Sequence, residues 1–152
     1  MILIEHATLF DLSQILDLQK LAYKREAEIY NDFSIPPLQQ TITELKEDFN
    51  SQIFLKATHN EKIIGSVRAY REGDTCFIGR LIVHPIHQNK GIGTKLMNDI
   101  EKRFDFVKRY ELFTGDKSTK NLYLYKKLGY KIFKMEVLNE NVKLKFLEKI
   151  KD

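Results

Sequence analysis

The spacing of apolar side chains alternates between two periods along the chain, and this predicts the order of its secondary-structure elements. Apolar residues that alternate with polar ones, or that form short continuous runs, indicate strands. These stretches are residues 2–7, 53–58, 63–70, 76–83, 110–115, 130–138 and 142–150. Apolar residues three or four positions apart indicate helices. These stretches are residues 8–29, 38–49, 91–104 and 118–128. The predicted order is therefore β-α-α-β-β-β-α-β-α-β-β.

Capping and turn residues bound the first helices of this pattern. Thr8 with Asp11 three positions later is a capping-box variant, which predicts a helix extending to about Ile29. Pro36 and Pro37 break the chain and predict the start of the second helix. Three hairpin strands in a row, followed by a β-α-β passage, predict an α/β (α+β) fold rather than a doubly wound one. We expect a mixed, mostly antiparallel central sheet flanked by helices.

Length and composition narrow the class of protein. A chain of 152 residues predicts a single domain over 1–152, with 43% hydrophobic and 30% charged residues typical of a globular protein. No apolar run approaches the roughly 20 residues that span a bilayer, and no leader peptide is visible, so we expect a cytoplasmic protein without a membrane partner. Cys76 is the only cysteine and the four histidines are scattered, so we expect no disulfide framework and no metal site.

The net charge of +4 hides an asymmetry between the two parts of the chain. Residues 1–89 contain 9 Lys/Arg and 12 Asp/Glu, whereas residues 90–152 contain 16 and 9. The basic part is either a solvated lysine-rich surface or a face for a polyanion. That polyanion would be nucleic acid or a multiply phosphorylated cofactor.

Residues 84–95, HPIHQNKGIGTK, place two glycines beside lysines between a strand and a helix. A P-loop is excluded because Gly91 and Gly93 are too close together and Lys95 is not followed by Ser or Thr. A dinucleotide fingerprint fails because Leu96 stands where its third glycine belongs. A helix start remains, whose N–H groups and dipole suit a pyrophosphate without a metal.

In this context, residues 78–96 resemble the acetyl-CoA-binding motif of the GNAT superfamily of N-acetyltransferases. That motif is a strand, V-x-P and then [QR]-x-x-G-x-[GA] leading into a helix. The residues in register with it are Val83, Pro85, Gln88, Gly91 and Gly93. Residues 122–130, LYLYKKLGY, are similar to the family's L-Y-x-K-x-G-[FY] segment. The element order agrees with the family over essentially the whole chain, so the resemblance implies an acyl-CoA N-acyltransferase fold.

The resemblance implies an acetyl-CoA-dependent N-acetyltransferase that transfers an acetyl group to a primary amine of a small molecule or protein. The amine would attack the thioester directly, and Tyr125 would be the general acid that protonates the departing thiolate. The implied cofactor-binding residues are Leu81, Ile82, Val83, Gln88, Asn89, Lys90, Gly91, Ile92, Gly93 and Thr94. A further cofactor contact, an asparagine in the family, falls here on Ser118, with Asn121 one turn later. Both residues stay candidates.

The sequence leaves the general base undetermined. Glu72 and Asp74 lie in a predicted turn and are expected to be solvated, while Glu111 on a strand is the better carboxylate. His84 ends a strand beside Pro85, and a water relay is a further alternative.

The acceptor pocket is expected between the first helices and the opening of the sheet. Its candidate residues by location are Tyr23, Tyr30, Asp32 and Phe33. Arg80 is the only charged residue of the strand 76–83, and it would either meet an anionic acceptor or form an ion pair within the sheet. Gly79 in the same strand indicates a bulge or a close backbone approach.

A second hypothesis is a non-catalytic module that binds acyl-CoA or nucleic acid. A nucleic-acid reader should show a basic face interleaved with exposed aromatic residues, or a reading motif. The lysines lie instead around the glycine loop and on two helices. The expected partners are therefore acetyl-CoA and an amine acceptor rather than nucleic acid, and a homodimer is allowed.

Overall fold

The secondary structure follows the predicted order of elements. The computed structural model describes residues 1–151. Its strands are β1 (Leu3–His6), β2 (Ile53–His59), β3 (Lys62–Glu72), β4 (Thr75–Val83), β5 (Arg109–Gly115), β6 (Lys131–Val137) and β7 (Lys143–Ile150). Its helices are α1 (Leu12–Tyr30), α2 (Pro36–Gln39), α3 (Ile42–Ser51), α4 (Ile92–Arg103) and α5 (Thr119–Lys127). Short 3-10 turns precede α1 and follow β4.

The seven strands form one sheet in the order β1-β2-β3-β4-β5-β7-β6. All neighbouring pairs are antiparallel except β4 and β5, which are parallel. The parallel pair is the one that α4 connects, because parallel strands need a crossover between them. The predicted class, a mixed and mostly antiparallel sheet flanked by helices, is confirmed.

The second predicted helix is instead two helices, so that prediction was wrong in detail. Gln40 has an extended backbone, which ends α2. Thr41 then caps α3: its hydroxyl accepts a hydrogen bond from the Glu44 amide at 3.2 Å, and the Glu44 carboxylate accepts one from the Thr41 amide at 2.9 Å. This reciprocal capping box is the T-x-x-E sequence signal that the apolar spacing alone does not show.

Alternation along β2 divides the core between the two faces of the sheet. Leu55 and Ala57 belong to the larger core cluster, together with Leu96 and Met97 of α4. Phe54, on the opposite face, packs in a smaller cluster that α1 and α3 cover. Because successive side chains of a strand point to opposite faces, one strand supports helices on both sides.

Strands β4 and β5 separate part-way along their length. Their parallel ladder ends at the pair Phe77–Glu111, although β4 continues to Val83 and β5 to Gly115. A bulge in β4 accompanies the separation, and Arg80 within it has a left-handed φ of 50°. Bulges bend the strand that carries them. The separated strands open the sheet on the side where the glycine loop lies.

Residues 1–151 have two further features, which concern the character of the helices and one edge of the sheet. Within this part of the chain, no helix combines the length and the apolar character that a membrane crossing needs. Strand β6 is an edge strand whose residues are all exposed, with Met135 53% and Val137 70% accessible.

Candidate functional site

A cleft of about 560 Å3 opens where β4 leaves β5. It is bounded by α1, the loop after β4 and the N-terminal ends of α4 and α5. Nearly all the predicted cofactor residues line it. They are Leu81, Ile82, Val83, Gln88, Asn89, Gly91, Ile92, Gly93, Thr94, Ser118 and Asn121. Lys90 is exposed beside the cleft and is not part of its lining. The tertiary structure therefore brings both sequence motifs to one place.

One wall of the cleft is the free edge of β4. On its β3 side, Ile82 pairs with Ser66 and Val83 with Gly65. On its β5 side, no strand pairs with this part of β4 among the described residues. A free strand edge presents N–H and C=O groups that an extended ligand with amide groups can bind as an added strand.

The loop after β4 is held by its own side chains. The Gln88 amide nitrogen donates a hydrogen bond to the Val83 carbonyl at 3.3 Å, and His84 Nδ1 accepts one from the Ile86 amide at 3.1 Å. His84 is thus a loop-forming residue. Gln88 lines the cleft, but its side chain positions the loop relative to the strand end.

The two glycines of the loop have different roles. Gly91 has a φ of 80°, which favours glycine, and a Cβ there would meet no heavy atom of the described residues within 4 Å. At Gly93 a Cβ would lie 3.3 Å from Leu124 of α5. Gly91 therefore lets the chain turn into α4 beside open space, whereas Gly93 lets α5 pack closely. The first N–H groups of α4 have no acceptor within the helix and carry the positive end of its dipole.

Ser118 and Asn121 differ in how their polar atoms are used. Ser118 precedes α5, and its hydroxyl is buried without a hydrogen-bond partner among residues 1–151. The Asn121 side chain donates a hydrogen bond to the Thr114 hydroxyl at 3.3 Å. An unpaired buried hydroxyl in a cleft wall is costly, and a ligand atom would satisfy it.

A second, more enclosed cavity of about 160 Å3 lies between α1, β4 and β5. Tyr125 of α5 and Arg80 of β4 line it. The residues that it shares with the larger cleft are Tyr23, Glu26, Leu81 and Asn121. The two spaces therefore adjoin at the separation of β4 from β5.

Tyr125 is buried, and its ring packs edge-on against Tyr130 with 6.1 Å between ring centroids. Burial raises the pKa of the Tyr125 phenol, and the nearby Tyr23 and Glu26 raise it further. The hydroxyl therefore stays protonated at neutral pH. Tyr125 also belongs to the main hydrophobic core, so its ring has a structural role in addition to any role of the hydroxyl.

Glu26 is a site residue that the sequence analysis missed. It lies one helical turn after Tyr23 on α1 and lines both spaces, and burial raises the pKa of its carboxyl. The available signal was its position: Gln19, Tyr23, Glu26 and Tyr30 continue the buried stripe of α1 at spacings of three and four. Polar residues on such a stripe indicate a site rather than a solvated face.

Several sequence candidates lie elsewhere. Glu111 was the better of the carboxylate candidates for the undetermined base, but its carboxylate forms a 2.8 Å ion pair with Arg109 and lines neither space. Asp32 accepts hydrogen bonds from Ser34, and Phe33 is 52% exposed, so neither lines the pocket.

The remaining candidates fit their expected surroundings. Glu72 and Asp74 are exposed, as expected for turn residues. Burial, reinforced by Glu101, raises the pKa of the Cys76 thiol to about 12. Such a thiol is inert at neutral pH, in agreement with a core role. Among the described residues, no group of three or more His, Cys, Asp or Glu side chains has an arrangement that could hold a metal ion.

A comparison with models of protein families identifies the family to which the chain belongs. The model of the acetyltransferase (GNAT) family matches residues 12–130, which include the glycine loop, the lining of the larger cleft and Tyr125. The chain belongs to the acetyltransferase (GNAT) family. This membership supports acetyltransferase activity.

Solved structures with the same GNAT fold cover nearly the whole chain. The ribosomal-protein-S18-alanine N-acetyltransferase from Escherichia coli has a TM-score of 0.82 at 14% identity, covering 99% of this chain and 94% of that one. The paia N-acetyltransferase from Thermoplasma acidophilum, in complex with coenzyme A, has a TM-score of 0.75 at 19% identity, covering 99% of both chains. At these identities the likeness shows the fold.

A curated relative of this GNAT chain is the UPF0157 protein YqkA from Bacillus subtilis (strain 168). It is 29% identical over 117 residues, which are 77% of this chain and 34% of that protein. The chain thus spans about a third of the length of the relative.

The cleft suits the pyrophosphate and amide groups of the acetyl-CoA that the GNAT resemblance implies. The space beside Gly91 leaves the α4 amides accessible, and the unpaired Ser118 hydroxyl lies in the cleft wall. The free edge of β4 offers hydrogen-bonding groups to an amide-containing arm. The residues present therefore fit this group.

Proposed function

We propose that this protein is an acetyl-CoA-dependent N-acetyltransferase that acts on a primary amine of a small molecule or protein. The observation that carries the proposal is the pair of adjoining spaces at the separation of β4 from β5. One is open and lined by helix N-termini, and the other is enclosed and lined by titratable side chains. We further propose that residues 1–152 form one acetyltransferase domain, which acts in the cytoplasm.

The proposed cofactor residues divide by the part of the cofactor that they would hold. The backbone of residues 81–83 would bind the pantetheine arm along the free edge of β4. The amides of residues 89–94 would hold the pyrophosphate, with Lys90 adding positive charge. Acetyl-CoA would supply an acetyl group activated as a thioester. The coenzyme A named for the Thermoplasma acidophilum structure supports this assignment by analogy of fold.

The side chains at the junction would move the protons of the reaction. Glu26 would accept a proton from the ammonium form of the acceptor, since its raised pKa lies closer to neutrality than that of a solvated carboxylate. The amide of Ile82 or Val83 would stabilise the negative charge that develops on an acyl oxygen. Tyr125 would hold the proton for the departing thiolate. Burial raises the pKa of a thiol as well as that of a phenol, so the donor and acceptor stay matched.

The experiment that tests the function is a panel of primary amines with acetyl-CoA, in which the release of free thiol is followed. We expect thiol release that depends on an amine. Nucleic-acid binding without turnover of any amine would contradict the proposal and favour the non-catalytic alternative.

Replacing Glu26 with glutamine is expected to lower kcat by about 100-fold, the lower range for loss of general acid–base catalysis. Wild-type activity should fall as pH decreases through the raised pKa of Glu26, and the variant should lose this dependence. A carboxyl whose pKa is raised on folding destabilises the protein above that pKa, because its charged form is buried. The variant should therefore melt at a higher temperature at neutral pH.

Glu28→Gln is the matched control for this prediction, since Glu28 is exposed on the same helix. It should retain both the rate and the pH profile of the wild type. A Glu26→Gln enzyme with an unchanged pH profile would assign the base elsewhere.

Replacing Ser118 with alanine is expected to weaken CoA binding by roughly 3- to 10-fold, the effect of losing one hydrogen bond. Stability should not fall, because the hydroxyl has no partner among residues 1–151. Asn121→Ala should instead lower stability, because it breaks the bond to Thr114. Calorimetric titration with CoA and thermal unfolding measure both effects. Unchanged CoA affinity in Ser118→Ala would show that its hydroxyl does not contact the cofactor.

We also propose that the protein forms a homodimer through β6. This edge strand has free backbone groups and exposes apolar side chains. Antiparallel pairing of a strand with its own copy satisfies twofold symmetry and would cover that edge.

A further inference from the structure

Arg80 occupies an unusual backbone position at the enclosed cavity. Its φ of 50° lies in the left-handed region, which few residues other than glycine adopt. It lies in the bulge of β4, beside Gly79, and both residues line the cavity. Strained conformations of this kind persist mainly where they position a functional side chain.

The positive charge of Arg80 is not compensated within the described chain. Its Nε atom is buried without a hydrogen-bond partner, and its guanidinium forms no ion pair with any of residues 1–151. The expectation of an ion pair within the sheet is therefore wrong for these residues. Arg80 as a whole is half-buried, so the costly feature is this one buried N–H group, which a ligand atom could satisfy.

Arg68 on the neighbouring strand shows what a compensated arginine looks like in this protein. Its guanidinium donates hydrogen bonds to Gln19 at 3.2 Å and Gln40 at 3.0 Å, and lies 3.4 Å from the Asp48 carboxylate. Arg68 and Arg80 lie close enough for the charge of Arg80 to lower the pKa of Arg68, yet only Arg68 forms these hydrogen bonds and this ion pair.

The groups around Arg80 increase the positive potential there. Burial, together with the charge of Arg80, lowers the pKa of Arg68 to about 10. Burial raises the pKa of the Tyr23 phenol, and Arg80 opposes that rise through its charge and through a side-chain hydrogen bond with the phenol. The guanidinium groups of Arg68 and Arg80 are therefore close enough to repel each other. The Asp48 carboxylate already pairs with Arg68. A negatively charged ligand group would therefore be attracted to the side of the cavity where Arg80 lies.

We infer that the acceptor carries a carboxylate close to its primary amine, and that Arg80 binds this carboxylate. The inference rests on the proposed acetyltransferase function and specifies its substrate class. A guanidinium binds a carboxylate through two parallel hydrogen bonds. Glu26, at the junction of the two spaces, is placed to receive the amine. The acceptor is thus an amino acid or a similar small amino carboxylate.

The enclosed cavity is small beside the adjoining cleft, with a volume of about 160 Å3 against about 560 Å3. The amine of a lysine side chain or of a protein N-terminus is followed by neutral groups, which would leave Arg80 unpaired. A site built around a buried polar group discriminates strongly against ligands that cannot pair with it.

The test compares matched acceptors in the thiol-release assay: α-amino acids, their carboxamides and the corresponding alkylamines. For the wild type we expect kcat/KM to favour the amino acid over its carboxamide by about 100-fold. Arg80→Met keeps the Cβ and much of the stem but removes the charge, so this ratio should fall to near 1. Arg80→Lys keeps the charge without the planar fork and should give an intermediate ratio.

Thermal unfolding separates this role from a structural one. Arg80→Met should melt at or above the wild-type temperature, because it removes a buried N–H group that has no hydrogen-bond partner among residues 1–151. If that variant fails to fold, Arg80→Asn provides the same comparison, since asparagine tolerates left-handed φ values. A melting temperature well below that of the wild type for both variants, or a ratio that neither variant changes, would overturn the role of Arg80.

The outcomes also separate this inference from the function on which it rests. Thiol release with alkylamines and carboxamides as efficient as with amino acids would leave the transferase function standing and overturn the carboxylate-bearing acceptor. Absence of thiol release with every acceptor would contradict the transferase function itself.

Discussion

Replacing Gly91 with aspartate is expected to weaken CoA binding by at least about 100-fold while the fold stays intact. The substitution places a negative charge at the N-terminus of α4, where the proposed pyrophosphate would bind. About 100-fold corresponds to roughly 2.7 kcal/mol, which like-charge repulsion and lost amide contacts can supply. Stability should fall by only about 1 kcal/mol, because a Cβ at Gly91 meets no described atom within 4 Å but must adopt a φ of 80°.

Gly73→Asp is the matched control for this change. Gly73 also has a positive φ, of 60°, and open space around its Cβ position, but it lies in the exposed turn between β3 and β4. Its aspartate variant should carry a similar cost in stability and bind CoA like the wild type. Calorimetric titration and thermal unfolding of both variants give the comparison. Wild-type CoA affinity in Gly91→Asp would place the pyrophosphate elsewhere.

Replacing Tyr125 with phenylalanine is expected to lower kcat by about 100- to 10,000-fold, the usual range for removing a general acid. CoA affinity should change little, because Tyr125 lines the enclosed cavity rather than the open cleft. The ring keeps its packing against Tyr130, so we expect the melting temperature to stay close to that of the wild type.

Tyr123→Phe is the control on the same helix, since Tyr123 is 71% exposed and lines the open cleft but not the enclosed cavity that Tyr125 lines. It should retain wild-type kcat and stability. If Tyr125→Phe turns over amine at the wild-type rate, its hydroxyl is not the acid, and the residue serves the core alone.

Much of the fold follows from local sequence. The spacing of apolar residues and the capping residues determine the order of strands and helices. Both signals depend on residues only a few positions apart in the chain. The one clear error was the helix placed over 38–49, which the capping box of Thr41 and Glu44 divides. That signal too is local, but it depends on two side chains rather than on apolar spacing.

The wall of the cleft that we propose for the cofactor was predictable because its residues are close together in sequence. A strand, a turn and a helix start that follow one another must also adjoin in space, so residues 81–94 form a continuous surface. The position of Tyr125 followed from a second motif of the same kind.

The enclosed cavity was not predictable in the same way, because its residues come from distant parts of the chain. Glu111 was the better carboxylate candidate for the base, yet Arg109 holds its carboxylate in an ion pair. Glu26 was overlooked, because a glutamate on a long helix is usually solvated unless another element covers it.

The sequence by itself thus determined the elements, their order and the glycine loop before α4, because short-range sterics and backbone hydrogen bonding set these features. Only the tertiary structure decided which charges are paired. The separation of β4 from β5 and the bulge in β4 leave Arg80 without an ion-pair partner among the described residues, while Arg68 on the neighbouring strand pairs with Asp48. Pairing depends on distances between side chains far apart in sequence, and those distances exist only once the sheet has formed.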